Sequence, residues 1–199
     1  MRLGRVFVIS SPSGGGKTTV VARLRRALPR LVRSVSVTTR PPRRGERNGR
    51  DYRFLSPEEF RRWKRQGRLL ESARVHGADY GTPKQPIVQA LSRGRDALLN
   101  IDVQGARSVR RALGARAVLI FLLPPSLAHL RQRLMRRKTD TASAIRQRLT
   151  AAKRELACAT WYDYRVVNDR LARAARDILS IMEAERTTER GQTHGARTD

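Results

Sequence analysis

The sequence predicts an α/β fold: a parallel sheet flanked by helices, with a small α+β lobe inserted into it. Three observations predict this. Wholly apolar runs at Val6–Ile9, Ala97–Ile101 and Ala117–Leu123 read as strands covered on both faces. Segments with helical apolar spacing alternate with them, and strand–helix alternation builds a parallel sheet. Between Ser34 and Pro83 the pattern changes to short strand-like pieces, loops and one helix, which marks the insertion.

In chain order, Val6–Ile9 is the first strand, and Thr18–Leu28 repeats apolar residues at Val20, Val21, Leu24 and Leu28 before Pro29 ends the helix. Ser34–Thr38 reads as a short strand and Pro41–Arg50 as a loop of proline, glycine and charge. Ser56-Pro57-Glu58-Glu59 is a capping box with proline at the first helical position, so a helix starts there. Leu69–Val75 reads as a strand. Thr82-Pro83-Lys84-Gln85 has the same capping pattern and predicts a helix ending near Gly94. After the strands at Ala97–Ile101 and Ala117–Leu123, helices are expected over Ser126–Lys138 and Ala142–Ala159, a last strand over Arg165–Val167 and a last helix over Leu171–Ala184. Residues 187–199 are polar and expected to be a disordered tail.

The bulk properties exclude several classes. The chain has 199 residues, enough for one domain with a sizeable core. Its one cysteine, Cys158, cannot form an internal disulfide, and no apolar run approaches the roughly 20 residues that span a bilayer. A soluble cytoplasmic protein without a membrane partner is expected. The formal net charge is +26, and 38 of the 43 basic residues are arginine. Such a field attracts polyanions. The arginines, however, are spread along the whole chain with few aromatics among them for base stacking, which favours solvated surfaces over a nucleic-acid interface.

The first chemical motif is Ser11-Pro12-Ser13-Gly14-Gly15-Gly16-Lys17-Thr18, followed by Thr19. It fits the Walker A pattern G-x-x-x-x-G-K-[ST] with Ser11 in place of the first glycine, between a buried strand and a helix. Glycines let successive backbone N–H groups turn inward around phosphates, and the helix N-terminus favours the same anion. Lys17 is suited to the β- and γ-phosphates, and the Thr18 hydroxyl to a Mg²⁺ ion carried with ATP. This makes the chain a P-loop NTPase-type protein and leaves the acceptor open.

The remaining motifs address the acceptor. They are Ser36-Val37-Thr38-Thr39-Arg40-Pro41-Pro42-Arg43, Gly45-Glu46, Gly49-Arg50-Asp51-Tyr52, Glu71, Gly77-Ala78-Asp79-Tyr80-Gly81-Thr82-Pro83 and Ile101-Asp102-Val103-Gln104-Gly105-Ala106. Together, from about Arg5 to Arg186, they resemble the guanylate kinase family, whose members phosphorylate GMP with ATP. The resemblance implies a domain over 1–186: a core at 1–33, 84–124 and 154–186, a GMP-binding lobe at 34–83 and a helical lid at 125–153. It implies ATP and GMP as the partners and leaves a homodimer open.

The chemistry agrees. Arg40 and Arg43 can grip a phosphate dianion, and Tyr52 and Tyr80 can donate hydroxyl hydrogen bonds to it. Guanine offers two adjacent donors beside its O6 acceptor; Glu71 and Asp102 are the candidate partners for the donors, with the Ser36 and Thr82 hydroxyls toward O6. Adenine would leave buried carboxylate oxygens unpaired. Arg133, Arg137 and Arg148 resemble the family's lid arginines, and with Lys17 and Arg40 make up the expected catalytic set. Asn168 resembles a residue near the adenine. Two features depart from the family pattern: Asn100 stands where an acid is common, and Arg136, Lys138 and Ala142-Ser143 replace common glycines and acids in the lid. The alternatives are a non-catalytic guanylate kinase-like binding module, disfavoured by the intact Lys17 and Thr18, a nucleic-acid-binding protein, and a sugar-phosphate kinase, disfavoured by the pair Glu71 and Asp102.

Overall fold

The computed structural model describes residues 3–75, 77–136 and 142–192. Two sheets organise it. The larger has five strands in the order β2-β7-β1-β8-β9. These are β1 (Val6–Ser10), β2 (Val32–Arg33), β7 (Ala97–Asn100), β8 (Ala117–Leu123) and β9 (Tyr164–Val167). β2 pairs with β7 in parallel and β8 with β9 in parallel. Every residue of β1 is buried, as its unbroken apolar run requires. The smaller sheet has the order β4-β3-β6-β5, from β3 (Val37–Thr38), β4 (Arg53–Phe54), β5 (Leu69–Val75) and β6 (Ala78–Pro83). The helices are α1 (Lys17–Ala27), α2 (Pro57–Arg65), α3 (Lys84–Ser92), α4 (Val103–Leu113), α5 (Leu127–Arg136), α6 (Ala142–Ala157) and α7 (Leu171–Gln192).

The chain divides into two compact units, Leu3–Val8 with Arg30–Val118, and Ile9–Pro29 with the chain from Leu119 onward. The first holds the small sheet, whose core is Val37, Phe60 and Trp63 with Leu55 and Leu69 packed against them. The Arg68 guanidinium lies 3.9 Å from the centre of the Trp63 ring. In the second unit Phe121 meets Tyr162 edge-on, with centroids 5.0 Å apart.

Several sequence expectations need correction. The segment Ser34–Thr38 does not form one strand: Val32–Arg33 joins the large sheet and Val37–Thr38 the small one. Thr82 does not cap α3. It is the fifth residue of β6, and α3 starts after Pro83 without a side-chain cap. α4 was not expected; Asp102 caps it by accepting from the Gly105 N–H at 2.8 Å. β4 and β6 were also not expected. The last helix continues to Gln192, so residues 187–192 of the tail expected to be disordered are helical; residues 193–199 lie outside the described residues.

Candidate nucleotide-binding site

The phosphate loop lies in the second unit, between β1 and α1. Its conformation explains its glycines. Gly14 and Gly16 have φ of 86° and 89°, left-handed values that favour glycine. Gly15 N–H donates to the Pro12 carbonyl at 2.9 Å, and a Cβ on Gly15 would stand 2.9 Å from Ser11 Cβ and Oγ. Gly16 is the N-cap of α1, with no side-chain cap and no acid in the first turn. The positive end of the helix dipole at that turn favours an anion.

Side chains from three later elements hold the loop. Asn168, buried just after β9, donates from Nδ2 to the Gly15 carbonyl at 2.8 Å. Arg133 on α5 donates to the same carbonyl at 3.3 Å and to the Asn168 carbonyl at 3.2 Å. In a planar trans peptide the N–H points opposite to the C=O. Pinning the Gly15 carbonyl outward therefore turns the Gly16 N–H toward the anion side. Ser13 N–H donates to Glu155 Oε2 on α6 at 3.2 Å. Lys17 is half-buried at the start of α1, while Thr18 and Thr19 are exposed. Arg148 is half-buried on α6, and Arg137 lies outside the described residues. Asn168, expected near a base, turns its side-chain amide to the loop.

The second constellation lies wholly in the first unit. At one end are Arg40, Glu46, Tyr52 and Tyr80. The Arg40 guanidinium is 4.9 Å from the centre of the Tyr52 ring, and Tyr52 meets Tyr80 edge-on at 6.0 Å. Arg40 Nε donates to Tyr80 Oη at 3.2 Å. Its two Nη atoms donate to the two Glu46 oxygens, at 2.7 Å each. This bidentate pair, with an N–H from the Arg43 backbone at 2.8 Å, holds the Glu46 carboxyl well below the usual range, at about 2, although burial works against the shift. The same bonds raise Arg40 further above its already high value. Burial pushes the Tyr52 hydroxyl up, so it stays protonated and able to donate. The Arg43 side chain is exposed, and Ser36 is half-buried beside β3.

At the other end, Glu71 on β5 and Thr82 on β6 face each other in register. Both are buried, and Thr82 Oγ1 donates to Glu71 Oε1 at 2.6 Å. Thr82 was expected to face a ligand oxygen; its proton goes to Glu71, so it orients that carboxylate. A Cβ on Gly105 would stand 2.6 Å from Glu71 Oε2 and 3.3 Å from Asp102 Oδ1. The missing side chain at Gly105 is what lets the two carboxylates of β5 and the α4 cap approach one place.

The eight residues expected for the acceptor thus fall within one unit, and the structure adds Glu46 and Gly105 to them. The loop residues fall in the other, where the additions are Glu155 and the bracing role of Asn168. Glu46 had a visible signal: it is the one acid between Arg40 and Arg50, amid Arg43, Arg44 and Arg47.

The family model for guanylate kinase matches residues 3–185. The chain is a member of the guanylate kinase family. It is 48% identical over 182 residues to the guanylate kinase of Rubrobacter xylanophilus, covering 92% of this chain and 95% of that one. It is 45% identical to the guanylate kinase of a Wolbachia from Brugia malayi, covering 94% and 96%. The crystal structure of guanylate kinase from Anaplasma phagocytophilum matches with a TM-score of 0.78 and 36% identity, over 93% of this chain and 87% of that one. A gluconokinase from Sinorhizobium meliloti, at 14% identity and a TM-score of 0.50, shares the fold alone.

In this guanylate kinase-family chain the Ser11 departure is a mild one. Ser11 is buried, and its hydroxyl donates to the Pro12 carbonyl at 3.2 Å, so the extra side chain is accommodated inside the turn. Asn100, another departure, is exposed at the end of β7.

Proposed function

We propose that the chain transfers the γ-phosphoryl group of ATP to GMP, giving ADP and GDP. The observation that carries this reading is the buried Glu71, oriented by Thr82 and set beside Asp102. Two fixed carboxylates suit the adjacent N1–H and N2 amino donors of guanine, a pair of donors that adenine does not offer. Arg40, Arg43, Tyr52 and Tyr80 then take the phosphate of GMP, and Ser36 completes the base pocket while Thr82 orients Glu71.

On the donor side, Gly14, Gly15, Gly16 and Lys17 cradle the ATP phosphates within the loop formed by Ser11, Pro12 and Ser13. Arg133, Arg137 and Arg148 supply positive charge to the transferring group, a contribution worth about 10³–10⁵ in rate for a well-placed arginine. The acceptor oxygen of GMP is already anionic at neutral pH, so no general base is required.

Magnesium fits the donor side as a companion of ATP. Thr18 is exposed on the first turn of α1, and among the described residues no group of three or more His, Cys, Asp or Glu could hold a metal alone. One hydroxyl with phosphate oxygens and waters is the ligand set that Mg²⁺ prefers. When bound, the ion neutralises charge on the β- and γ-phosphates. No helix among the described residues is long and apolar enough to cross a membrane. The substrates, ATP and GMP, support a cytoplasmic location.

The test is ADP formation from Mg-ATP with GMP, AMP, CMP or UMP as acceptor. GMP is expected to be used far better than the other three. Folded protein that makes no ADP above background with GMP refutes the reading.

A further inference from the structure

We propose that Glu46 is a positioning residue for the acceptor phosphate: it occupies one edge of the Arg40 guanidinium so that the edge beside Tyr80, together with the Tyr80 hydroxyl, is aimed at the phosphoryl group of the nucleotide. The proposal rests on the reading of this pocket as the GMP site.

The argument is a count of donors. A guanidinium has five N–H groups arranged in two forks. The end-on fork of Arg40, one N–H from each Nη, is closed by the two Glu46 oxygens at 2.7 Å each. The other N–H of Nη1 donates to the Pro41 carbonyl at 2.9 Å. Nε–H donates to Tyr80 Oη at 3.2 Å, so what remains is the second N–H of Nη2, on the edge next to the tyrosine. The Tyr80 oxygen takes the Nε proton and keeps its own, so that N–H and the Tyr80 O–H are the donors left on this edge for an anion.

The arrangement is also held in place. Glu46 is fixed by the Arg43 backbone N–H at 2.8 Å, and the guanidinium packs on the Tyr52 ring at 4.9 Å and the Phe54 ring at 5.7 Å. The Arg40 and Glu46 side chains are 12% and 20% exposed, enough shielding for the pair to keep its geometry. Its low pKa keeps Glu46 ionised throughout the range in which a nucleoside monophosphate is a dianion. A carboxylate that merely stood in for the substrate phosphate would leave no ordered donors for that phosphate while bound. Here the second N–H of Nη2 and the Tyr80 hydroxyl stay on that side.

Calorimetric titration of the full chain with GMP and with guanosine tests this, using wild type, Glu46→Gln and Glu46→Asp. Loss of a charge-assisted bidentate contact predicts GMP affinity about tenfold weaker in Glu46→Gln, with guanosine affinity within about twofold of wild type. Glu46→Asp, which keeps the charge, should retain more GMP affinity than Glu46→Gln. In steady state the KM for GMP should rise while the KM for ATP stays. Tighter or unchanged GMP binding in Glu46→Gln overturns the proposal, and so does an equal loss for guanosine, which would mean a general structural role. A wild type that binds GMP no better than AMP refutes the base reading instead. Glu46 is then judged by inorganic phosphate as the titrant: weaker binding in Glu46→Gln supports its role, and unchanged binding overturns it.

Discussion

Gly105→Ala tests the guanine pocket at the point where the structure is least tolerant. The new Cβ would stand 2.6 Å from Glu71 Oε2 and 3.2 Å from its Cδ. Carbon–oxygen contacts settle at about 3.3–3.6 Å, so Glu71 has to retreat by roughly 0.7 Å or more. It cannot do so freely, because Oε1 already holds the Thr82 hydroxyl at 2.6 Å inside the protein. Losing or stretching a hydrogen bond to a buried charge costs about 1.5–3 kcal/mol. Replacing a helical glycine by alanine returns at most about 1 kcal/mol. The clash wins, and the variant should be slightly less stable. Its catalytic effect is larger and selective. If the full displacement is felt by guanine, kcat/KM for GMP falls roughly ten- to a hundredfold. The slow reaction with AMP makes no use of Glu71 and should change little. Measuring kcat/KM for both acceptors by ADP release, with a thermal melt to show folding, checks this. An unchanged GMP-to-AMP ratio in a folded Gly105→Ala enzyme would refute the assignment of Glu71 to the base.

Three further outcomes are expected. Gly16→Ala forces alanine to φ near 89° and sets its Cβ 2.5 Å from Asn168 Nδ2, so the brace on the Gly15 carbonyl breaks. The backbone penalty of about 1–2 kcal/mol and a lost hydrogen bond of about 1 kcal/mol predict a rise in KM for ATP of tenfold or more; an unchanged KM would contradict it. Phe60→Ala removes a 3%-exposed ring from the core of the small sheet. Urea unfolding should show a loss of about 3–5 kcal/mol, and a loss below about 1 kcal/mol would mean that the ring is not a core member. The Glu46 carboxyl titrates at about 2 in the folded chain, below the ordinary value of about 4.3. The unfolded chain therefore takes up its proton first as pH falls. The stability that Glu46 contributes is full above about pH 5 and is lost as pH drops through about 2. Melting temperatures of wild type and Glu46→Gln should converge over that window, and a constant gap would show that the carboxylate charge is not involved.

The central strands were legible because burial on both faces leaves continuous apolar runs, as in Val6–Ile9 and Ala117–Leu123. α2 was legible from its start, where Ser56 and Glu59 cap each other reciprocally as the sequence pattern predicts. α4 was not, because only Gly105, Ala106 and Val109 are buried in it and none is a large apolar residue. Asp102 already had a reading as a ligand, which hid its second use as the cap. Thr82 misled for a related reason. Threonine followed by proline resembles a helix start, yet pairing between β5 and β6 places it opposite Glu71. Glu46 and Glu155 were chemically visible as acids in a basic chain. Their partners, Arg40 and Ser13, are set by loop and helix placement that no local spacing encodes.

The central claim is a transfer between two nucleotides, and label transfer measures it most directly. With γ-labelled Mg-ATP and GMP, the account predicts label in the β-phosphate of GDP, mole for mole with the ADP formed. With AMP in place of GMP, almost no labelled diphosphate should appear. Label released chiefly as inorganic phosphate, or GMP and AMP labelled at equal rates, would contradict it.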